Sequence, residues 1–267
     1  AYDYPTARLA DEAGLDLVLV GDSMAQTVLG YESTLPITLE EMIAASRAVR
    51  RGIQRALMVG DMPFGSYHDK VERAVRSAIK YVKKAGVEAV KIEGGANRSH
   101  IVKALVDSDI PVMGHIGLTP QSLLTMGGYK VQGKSMEGAR TLIEDAVAIE
   151  RAGAFAIVLE GIPSEISRII TSRISIPTIG IGAGSDCDGQ ILVFSDLVGL
   201  TFGHTAKFVR RYADLKTIIS DALSRYSADV AARRFPNESE SYHLPSGVVF
   251  EVEEEQKESM PPLGPIN

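Results

Sequence analysis

Short apolar runs alternate with longer segments of helical period along the first 225 residues of the chain. The apolar runs are almost continuously hydrophobic, which is typical of parallel strands covered by helices. They predict strands at 15–21, 56–61, 89–93, 111–115, 154–160 and 178–182, a weak strand at 197–200, and the end of another strand at 1–3. The 3.6-residue period predicts helices at 6–13, 39–51, 70–85, 98–106, 136–152, 163–172 and 205–225.

Eight strands alternating with helices predict an α/β fold, a (β/α)8 TIM barrel. The alternative is an open, doubly wound sheet. A polar residue finishes most of the predicted strands, and a closed barrel would bring these strand ends to one face, which favours the barrel. The chain enters the first strand near its end, so we expect strand one to be truncated at the N-terminus. The strand-end residues are Asp3, Asp22, Asp61, Glu93, His115 and Glu160.

Charged residues are unevenly distributed along the chain. The 267 residues carry a formal charge of −6, and the segment 237–267, with seven glutamates and one lysine, accounts for all of it. We therefore predict a catalytic barrel over 1–236 and an acidic, proline-containing, loosely ordered tail over 237–267, with a docking tail as the alternative. A neutral body without a basic surplus argues against a nucleic-acid partner.

Composition narrows the class of protein further. One cysteine in the whole chain excludes a disulfide framework and a cysteine-rich zinc site. No apolar run approaches the roughly 18–20 residues that a membrane-spanning helix needs, and no signal peptide opens the sequence. We expect a cytoplasmic protein without a membrane partner.

Three of the strand-end acids, Asp22, Asp61 and Glu93, follow successive predicted strands. Oxygen ligands without cysteine or paired histidines favour Mg²⁺, with water and substrate completing the coordination. The alternative is that these acids cap the following helices or pair with lysine or arginine. The sequence therefore predicts a magnesium site where these strands end.

Other polar residues stand beside this predicted site. Lys91 lies two residues before Glu93 and on the same face of the strand, where it suits an anionic substrate or an internal salt bridge. Glu160 is free to act as a general base, with a fourth metal ligand or a helix cap as alternatives. His115 suits a hydrogen bond to a carbonyl or oxyanion, or a packing role.

Eight motifs in sequence order are specific enough to indicate a family, and the chain resembles the ketopantoate hydroxymethyltransferases. The similarity runs from residue 1 to about residue 243, and the tail beyond Pro245 lies outside it. The motifs are AYDY at 1–4, LVGDS at 19–23, STLP at 33–36, GDMPF at 60–64, VKIEGG at 90–95, GHIGLTPQS at 114–122, GGYKVQG at 127–133, and GIGAGSDCDGQ at 180–190, with the strand ending at Glu160.

The resemblance implies a (β/α)8 barrel in a ring-based homo-oligomer, commonly a homodecamer. It implies transfer of a hydroxymethyl group from 5,10-methylenetetrahydrofolate to 3-methyl-2-oxobutanoate, giving 2-dehydropantoate through a Mg²⁺-stabilised enolate. This is a step of pantothenate and coenzyme A biosynthesis. The residues that it implies are Mg²⁺ ligands Asp22, Asp61 and Glu93, substrate contacts Asp22, Ser23, Asp61 and Lys91, and the proton acceptor Glu160.

Two loop aromatics, Phe64 and Tyr129, are candidates for contact with the pterin because of their loop positions. His115 is a further candidate for holding the substrate. Two other functions stay open at this point. One is a metal-dependent C–C lyase of the pyruvate and phosphoenolpyruvate barrel type. The other is not enzymatic: a truncated barrel that only binds a ligand or assembles into an oligomer.

Overall fold

Seven parallel strands form one sheet in the computed structural model of the protein, which describes residues 1–203 and 205–248. Each strand pairs with the next strand in the chain, so the spatial order is the sequence order, as in a barrel. The strands are β1 (Leu17–Val20), β2 (Leu57–Asp61), β3 (Ala89–Glu93), β4 (Val112–Gly117), β5 (Ala156–Glu160), β6 (Thr178–Ile181) and β7 (Gly189–Gln190).

Helices occupy most of the connections between these strands, and three short 3-10 turns accompany them. The helices are α1 (Tyr4–Glu12), α2 (Met24–Thr27), α3 (Leu39–Gly52), α4 (Val71–Ala85), α5 (Ser99–Val106), α6 (Leu123–Met126), α7 (Met136–Arg151), α8 (Ser164–Arg173), α9 (Phe194–Leu197) and α10 (Leu215–Ala231). The 3-10 turns are Ala96–Arg98, Pro120–Ser122 and Glu238–Glu240.

Local sequence signals explain where the longer helices begin and end. Thr38 and Glu41 form a capping box at the start of α3, because the Thr38 hydroxyl accepts from the Glu41 amide while the Glu41 carboxylate accepts from the Thr38 amide. Helix α4 ends before Gly86, whose φ of 69° is a left-handed conformation that glycine adopts without a steric cost.

The two faces of the sheet carry different residues because side chains alternate along each strand. A large apolar cluster packs between the sheet and the surrounding helices. A smaller cluster, which includes Val59, Met113 and Val158, lies on the opposite, inner face. Two residues further along each of these strands stand Asp61, His115 and Glu160. The inner face is therefore apolar toward the amino ends of the strands and polar at their carboxyl ends.

Gly114 in β4 marks a close approach between the sheet and α7. A Cβ atom at this position would lie 2.5 Å from Cγ2 of Ile149. We expect Gly114→Ala to lower the free energy of unfolding by about 1–3 kcal/mol, the usual cost of overpacking a core. Urea denaturation measures the change in the free energy of unfolding. In an Ile149→Ala background the clashing methyl group is gone, so the same substitution should cost much less; an equal cost in both backgrounds would contradict this explanation.

The predicted α/β fold with barrel strand order is confirmed, with seven strands among the described residues where eight were predicted. Residues 1–3 form no strand, although the Ala1 amino group donates to the Leu19 carbonyl at 3.1 Å beside β1. Ala1 also lines the same cavity as Ile191, which follows β7. The sheet therefore curls so that its two ends face one cavity.

The predicted strand at 197–200 is wrong. Helix α9 ends at Leu197, and Gly199 has a φ of 69°, which a strand does not allow. The predicted helix at 205–225 begins instead at Leu215. Before that point the chain runs beside residues 197–199, where the Tyr212 amide donates to the Leu197 carbonyl at 2.8 Å.

The chain divides into two compact units, residues 1–216 and 217–267. In the second unit, as far as residue 248, the rings of Tyr226 and Phe235 meet edge to face at 5.5 Å, and Arg234 pairs with Asp229 at 2.9 Å. The acidic segment predicted at 237–267 is described only to residue 248, and its remainder lies outside the described residues. Within the described ranges, no helix is long and apolar enough to cross a membrane.

Candidate active site

Five of the predicted site residues stand at the carboxyl ends of β2 to β5, on the inner face of the sheet. Strand register aligns them, because Asp61 is paired with Lys91 across β2 and β3, and Glu93 with His115 across β3 and β4. Glu160 ends β5 one strand further. Asp22 and Ser23 follow β1 directly, so the structure brings the whole predicted set to one cavity, and its members are Asp22, Ser23, Asp61, Lys91, Glu93, His115 and Glu160.

Lys91 lies at the centre of this group and is only 3% exposed. Its Nζ is 2.8 Å from Oδ1 of Asp61 and 3.5 Å from Oε1 of Glu93. Burial alone would lower the pKa of Lys91, but the carboxylates of Asp61 and Glu93 raise it above its usual value. The internal salt bridge is therefore present, and it keeps a cation inside the cavity.

His115 connects the carboxylates of two strands. Its Nδ1 lies 3.3 Å from Oε1 of Glu93 and 3.2 Å from Nζ of Lys91, and its Nε2 lies 3.2 Å from Oε2 of Glu160. Burial and the neighbouring Lys91 lower the pKa of His115, but the two glutamates outweigh them and raise it to about 9. The ring therefore links Glu160 to the Lys91 group.

Asp22 and Asp61 approach each other at the other side of Lys91. The Asp22 amide donates to Oδ2 of Asp61 at 3.0 Å. Burial, and then repulsion from Asp61 and Glu93, raises the pKa of Asp22 well above its usual value. Burial also raises the pKa of Asp61, although Lys91 opposes this shift. Three buried carboxyl groups thus lie close enough to repel one another, although the cations Lys91 and His115 lie beside them.

A bound cation would relieve this repulsion, and the oxygen donors are those that a hard divalent cation prefers. The residues are not gathered as a ready coordination sphere, since among the described residues no three His, Cys, Asp or Glu side chains surround one point as metal ligands do. Instead the ammonium of Lys91 lies between Asp61 and Glu93. The donor chemistry therefore favours a cation, and the Mg²⁺ site stays a prediction.

The cavity above these residues has a volume of about 540 Å³. Its walls include the apolar side chains of Leu19, Val158 and Ile181. The Ser23 hydroxyl, also in the wall, lies 2.8 Å from the Tyr2 hydroxyl. A space of this size, with ionisable groups on one side and apolar walls, suits small molecules that have both a charged and an apolar part.

The two loop aromatics lie in different places. Tyr129 lines the cavity, and its hydroxyl donates to Gln26 at 3.4 Å. Phe64 instead lines a separate cleft of about 460 Å³ beside Leu39 and Arg73, and it contacts the ring of His68. The structure therefore brings only Tyr129 to the site cavity.

Two buried residues that contact the site are absent from the sequence-based candidates. Gln121 bonds to Asp22 and Glu93, and Tyr67 bonds to both Gln121 and Glu93. Gln121 belongs to the conspicuous motif at 114–122, which was a usable signal. Tyr67 lies in the β2–α4 loop, and nothing in a single sequence distinguishes it from other loop tyrosines.

Parallel strands in chain order, curled so that polar side chains gather at their carboxyl ends, define a barrel-type α/β enzyme. The sequence profile of the family "Ketopantoate hydroxymethyltransferase" matches residues 1–238. The chain belongs to this family, whose members are transferases of the pantothenate pathway.

Curated relatives agree with the profile. A 3-methyl-2-oxobutanoate hydroxymethyltransferase from Koribacter versatilis is 53% identical over 262 residues, which covers 97% of this chain and 89% of the relative. One of the same name from Syntrophomonas wolfei is 52% identical over 249 residues, covering 93% and 90%.

Solved structures support the fold alone, because their sequence identity is low. A phosphonopyruvate hydrolase superposes with a TM-score of 0.57 at 12% identity, covering 90% of this chain and 86% of its own. A phosphoenolpyruvate phosphomutase from Streptomyces platensis gives 0.56 at 15% identity, covering 87% and 81%.

Proposed function

We propose that the protein transfers a hydroxymethyl group from 5,10-methylenetetrahydrofolate to 3-methyl-2-oxobutanoate, giving 2-dehydropantoate. One observation carries the proposal beyond family membership. Glu160 is the carboxylate with the most accessible side chain at the site, 17% exposed against 1% for Asp61 and 3% for Glu93, and it lies beside His115 rather than Lys91. It is therefore available to accept a proton from a substrate in the cavity.

Asp22, Asp61 and Glu93 would hold Mg²⁺, because their oxygens suit this ion and a bound cation would relieve the repulsion among them. When bound, Mg²⁺ supplies Lewis-acid polarisation of the oxygens of a 2-oxo acid, which makes the neighbouring C3 hydrogen more acidic. Lys91 remains the fixed positive charge of the protein itself at this position.

Residues of the chain orient the substrate and transfer the proton. Lys91 and Ser23 orient the carboxylate of the oxo acid, and His115 holds Glu160 in place. Glu160 accepts the C3 proton, and the C3 carbanion attacks the methylene carbon of the folate. Both carbon–nitrogen bonds that hold this carbon in the folate break, and tetrahydrofolate leaves. Water supplies the hydroxyl group and one of the two protons that the folate nitrogens take up, and the proton removed from C3 supplies the other. Tyr129, at the edge of the cavity, is placed to contact the pterin.

We also infer a homo-oligomer of the ring type, commonly a decamer, located in the cytoplasm. Membership of the family supports this inference. Light scattering coupled to a sizing column measures the mass of the oligomer. Small molecules, the oxo acid and the folate, are the partners that this function requires.

The C3 hydrogen of 3-methyl-2-oxobutanoate should exchange with D₂O on the protein in the presence of Mg²⁺ and the absence of folate. Exchange is expected because removal of the proton precedes the encounter with the one-carbon unit. Proton NMR of the substrate follows the loss of the signal. A folded protein that binds Mg²⁺ and the oxo acid but catalyses no exchange would contradict the proposal.

A second experiment separates this function from that of a C–C lyase. Addition of 5,10-methylenetetrahydrofolate should yield 2-dehydropantoate and tetrahydrofolate in equal amounts. Cleavage of a 2-oxo acid by the protein without folate would instead support the lyase function.

A further inference from the structure

We infer that Gln121 is a positioning residue that holds Asp22 and Glu93 for the bound cation, and that Tyr67 fixes the orientation of its amide. The inference concerns residues of this chain that contact the proposed metal ligands, and it rests on the proposed function for the presence of the cation. Both residues are almost completely buried, Gln121 at 3% exposure and Tyr67 at 0%.

Gln121 contacts both carboxylates directly, but through different groups. Its side-chain Nε2 donates to Oδ2 of Asp22 at 2.9 Å and to the carbonyl of Met62 at 3.0 Å. Its backbone amide donates to Oε2 of Glu93 at 2.9 Å. One residue thus restrains one oxygen of each carboxylate, on segments that follow β1 and end β3.

Tyr67 determines which way the amide of Gln121 points. The Tyr67 hydroxyl donates to Oε1 of Gln121 at 2.8 Å and accepts from the Glu93 amide at 3.0 Å. A hydroxyl has a single hydrogen, and Gln121 is the nearer of its two acceptors, because the Glu93 carbonyl lies 3.4 Å away. A flipped Gln121 amide would place its NH₂ group against this donor and its oxygen against Asp22. The observed orientation is therefore the one that the network allows.

The network fixes the positions of two carboxyl groups, which close packing alone would not do. Asp22 and Glu93 are two carboxyl groups in one buried space, and each is free to rotate unless a neighbouring donor restrains it. Neutral amide donors restrain both without adding a positive charge that would compete with a cation. Contacts of this kind, one step behind the ligands, are known to change metal affinity by about 10- to 100-fold when removed.

The test is Mg²⁺ binding by Gln121→Met in the full chain, measured by calorimetry without substrate. Methionine is close to glutamine in shape and has no side-chain amide, so the variant loses the contact with Asp22 and keeps the backbone amide that donates to Glu93. We expect the dissociation constant to rise about 10- to 100-fold, with an unchanged circular dichroism spectrum. Wild-type affinity in folded Gln121→Met would overturn the inference.

Tyr67→Phe gives a second test, because Tyr67 should act on the cation through Gln121. We expect a weaker Mg²⁺ affinity in Tyr67→Phe, and no further loss when it is combined with Gln121→Met. Additive losses in the double variant would overturn the role of Tyr67. If Gln121→Met does not fold, Tyr67→Phe alone decides, and an unchanged Mg²⁺ dissociation constant then overturns the inference.

Tyr81→Phe is the matched control. Tyr81 is fully buried like Tyr67, and its hydroxyl lies 2.9 Å from that of Ser46, also buried. Its loss should leave the Mg²⁺ dissociation constant unchanged, so an equal rise in Tyr81→Phe and Tyr67→Phe would show a general effect of a lost buried hydroxyl and overturn the inference. Wild-type protein that binds no Mg²⁺ refutes the proposed metal function itself, a result distinct from wild-type binding with unaffected variants.

Discussion

Glu160→Gln is expected to slow C3 hydrogen exchange in 3-methyl-2-oxobutanoate by about 10²-fold or more, the usual loss when a general base is removed. The amide keeps the size of the side chain but cannot accept the proton. Asp22, Asp61, Glu93 and Lys91 are untouched, so binding of Mg²⁺ and of the oxo acid should change little. Exchange followed by NMR and binding followed by calorimetry measure the two effects separately.

Glu165→Gln is the matched control for that substitution, because Glu165 lies exposed in the first turn of α8, a few residues away in sequence. It should leave the exchange rate at the wild-type value. Unchanged exchange in Glu160→Gln would reject Glu160 as the base. A parallel loss of oxo-acid binding in Glu160→Gln would instead indicate a role in binding.

Lys91→Met should be the most destabilising of these substitutions, lowering the free energy of unfolding by about 3–5 kcal/mol. The ammonium group lies 2.8 Å from Asp61 and 3.5 Å from Glu93. All three side chains are at most 4% exposed, so water cannot replace the lost charge. Urea denaturation without added Mg²⁺ measures the change.

Adding Asp61→Asn to Lys91→Met removes the unpaired charge that the first substitution leaves behind. The double variant should recover part of the lost stability, because removal of both members of a buried pair costs less than removal of one. A double variant less stable than Lys91→Met would show that Lys91 stabilises the fold through packing rather than through its charge.

Apolar runs in the sequence predicted strands β1 to β6 because each run is continuous, bounded by turn residues and too short for a helix. The same reasoning fails at the end of the sheet. Gly189 and Gln190 form β7 without any apolar pattern, since pairing with Ile179 and Gly180 defines that strand. The run at 197–200 was apolar and short, but its conformation depends on contacts with residues 212–216.

The site was more predictable than the end of the sheet, because its residues follow a rule of position. Asp61, Glu93 and Glu160 end their strands, so period two and parallel order place them together. Gln121 follows no such rule. It reaches Asp22 from a 3-10 turn after β4, and only the path of the backbone between 117 and 121 determines that contact.

The hydrogen bond between Gln121 and Asp22 joins positions 99 residues apart in the chain. Contacts of such long sequence separation form late in folding, because the intervening loop must first lose its freedom. A nascent chain that has made its first two strands already holds Asp22 and Asp61, yet it lacks the amide that restrains Asp22. The site is therefore complete only after the segment that follows β4 and the end of β5 have joined the sheet, so a molecule in which only β1 to β4 have formed holds Asp22, Asp61 and Glu93 without the proposed base Glu160.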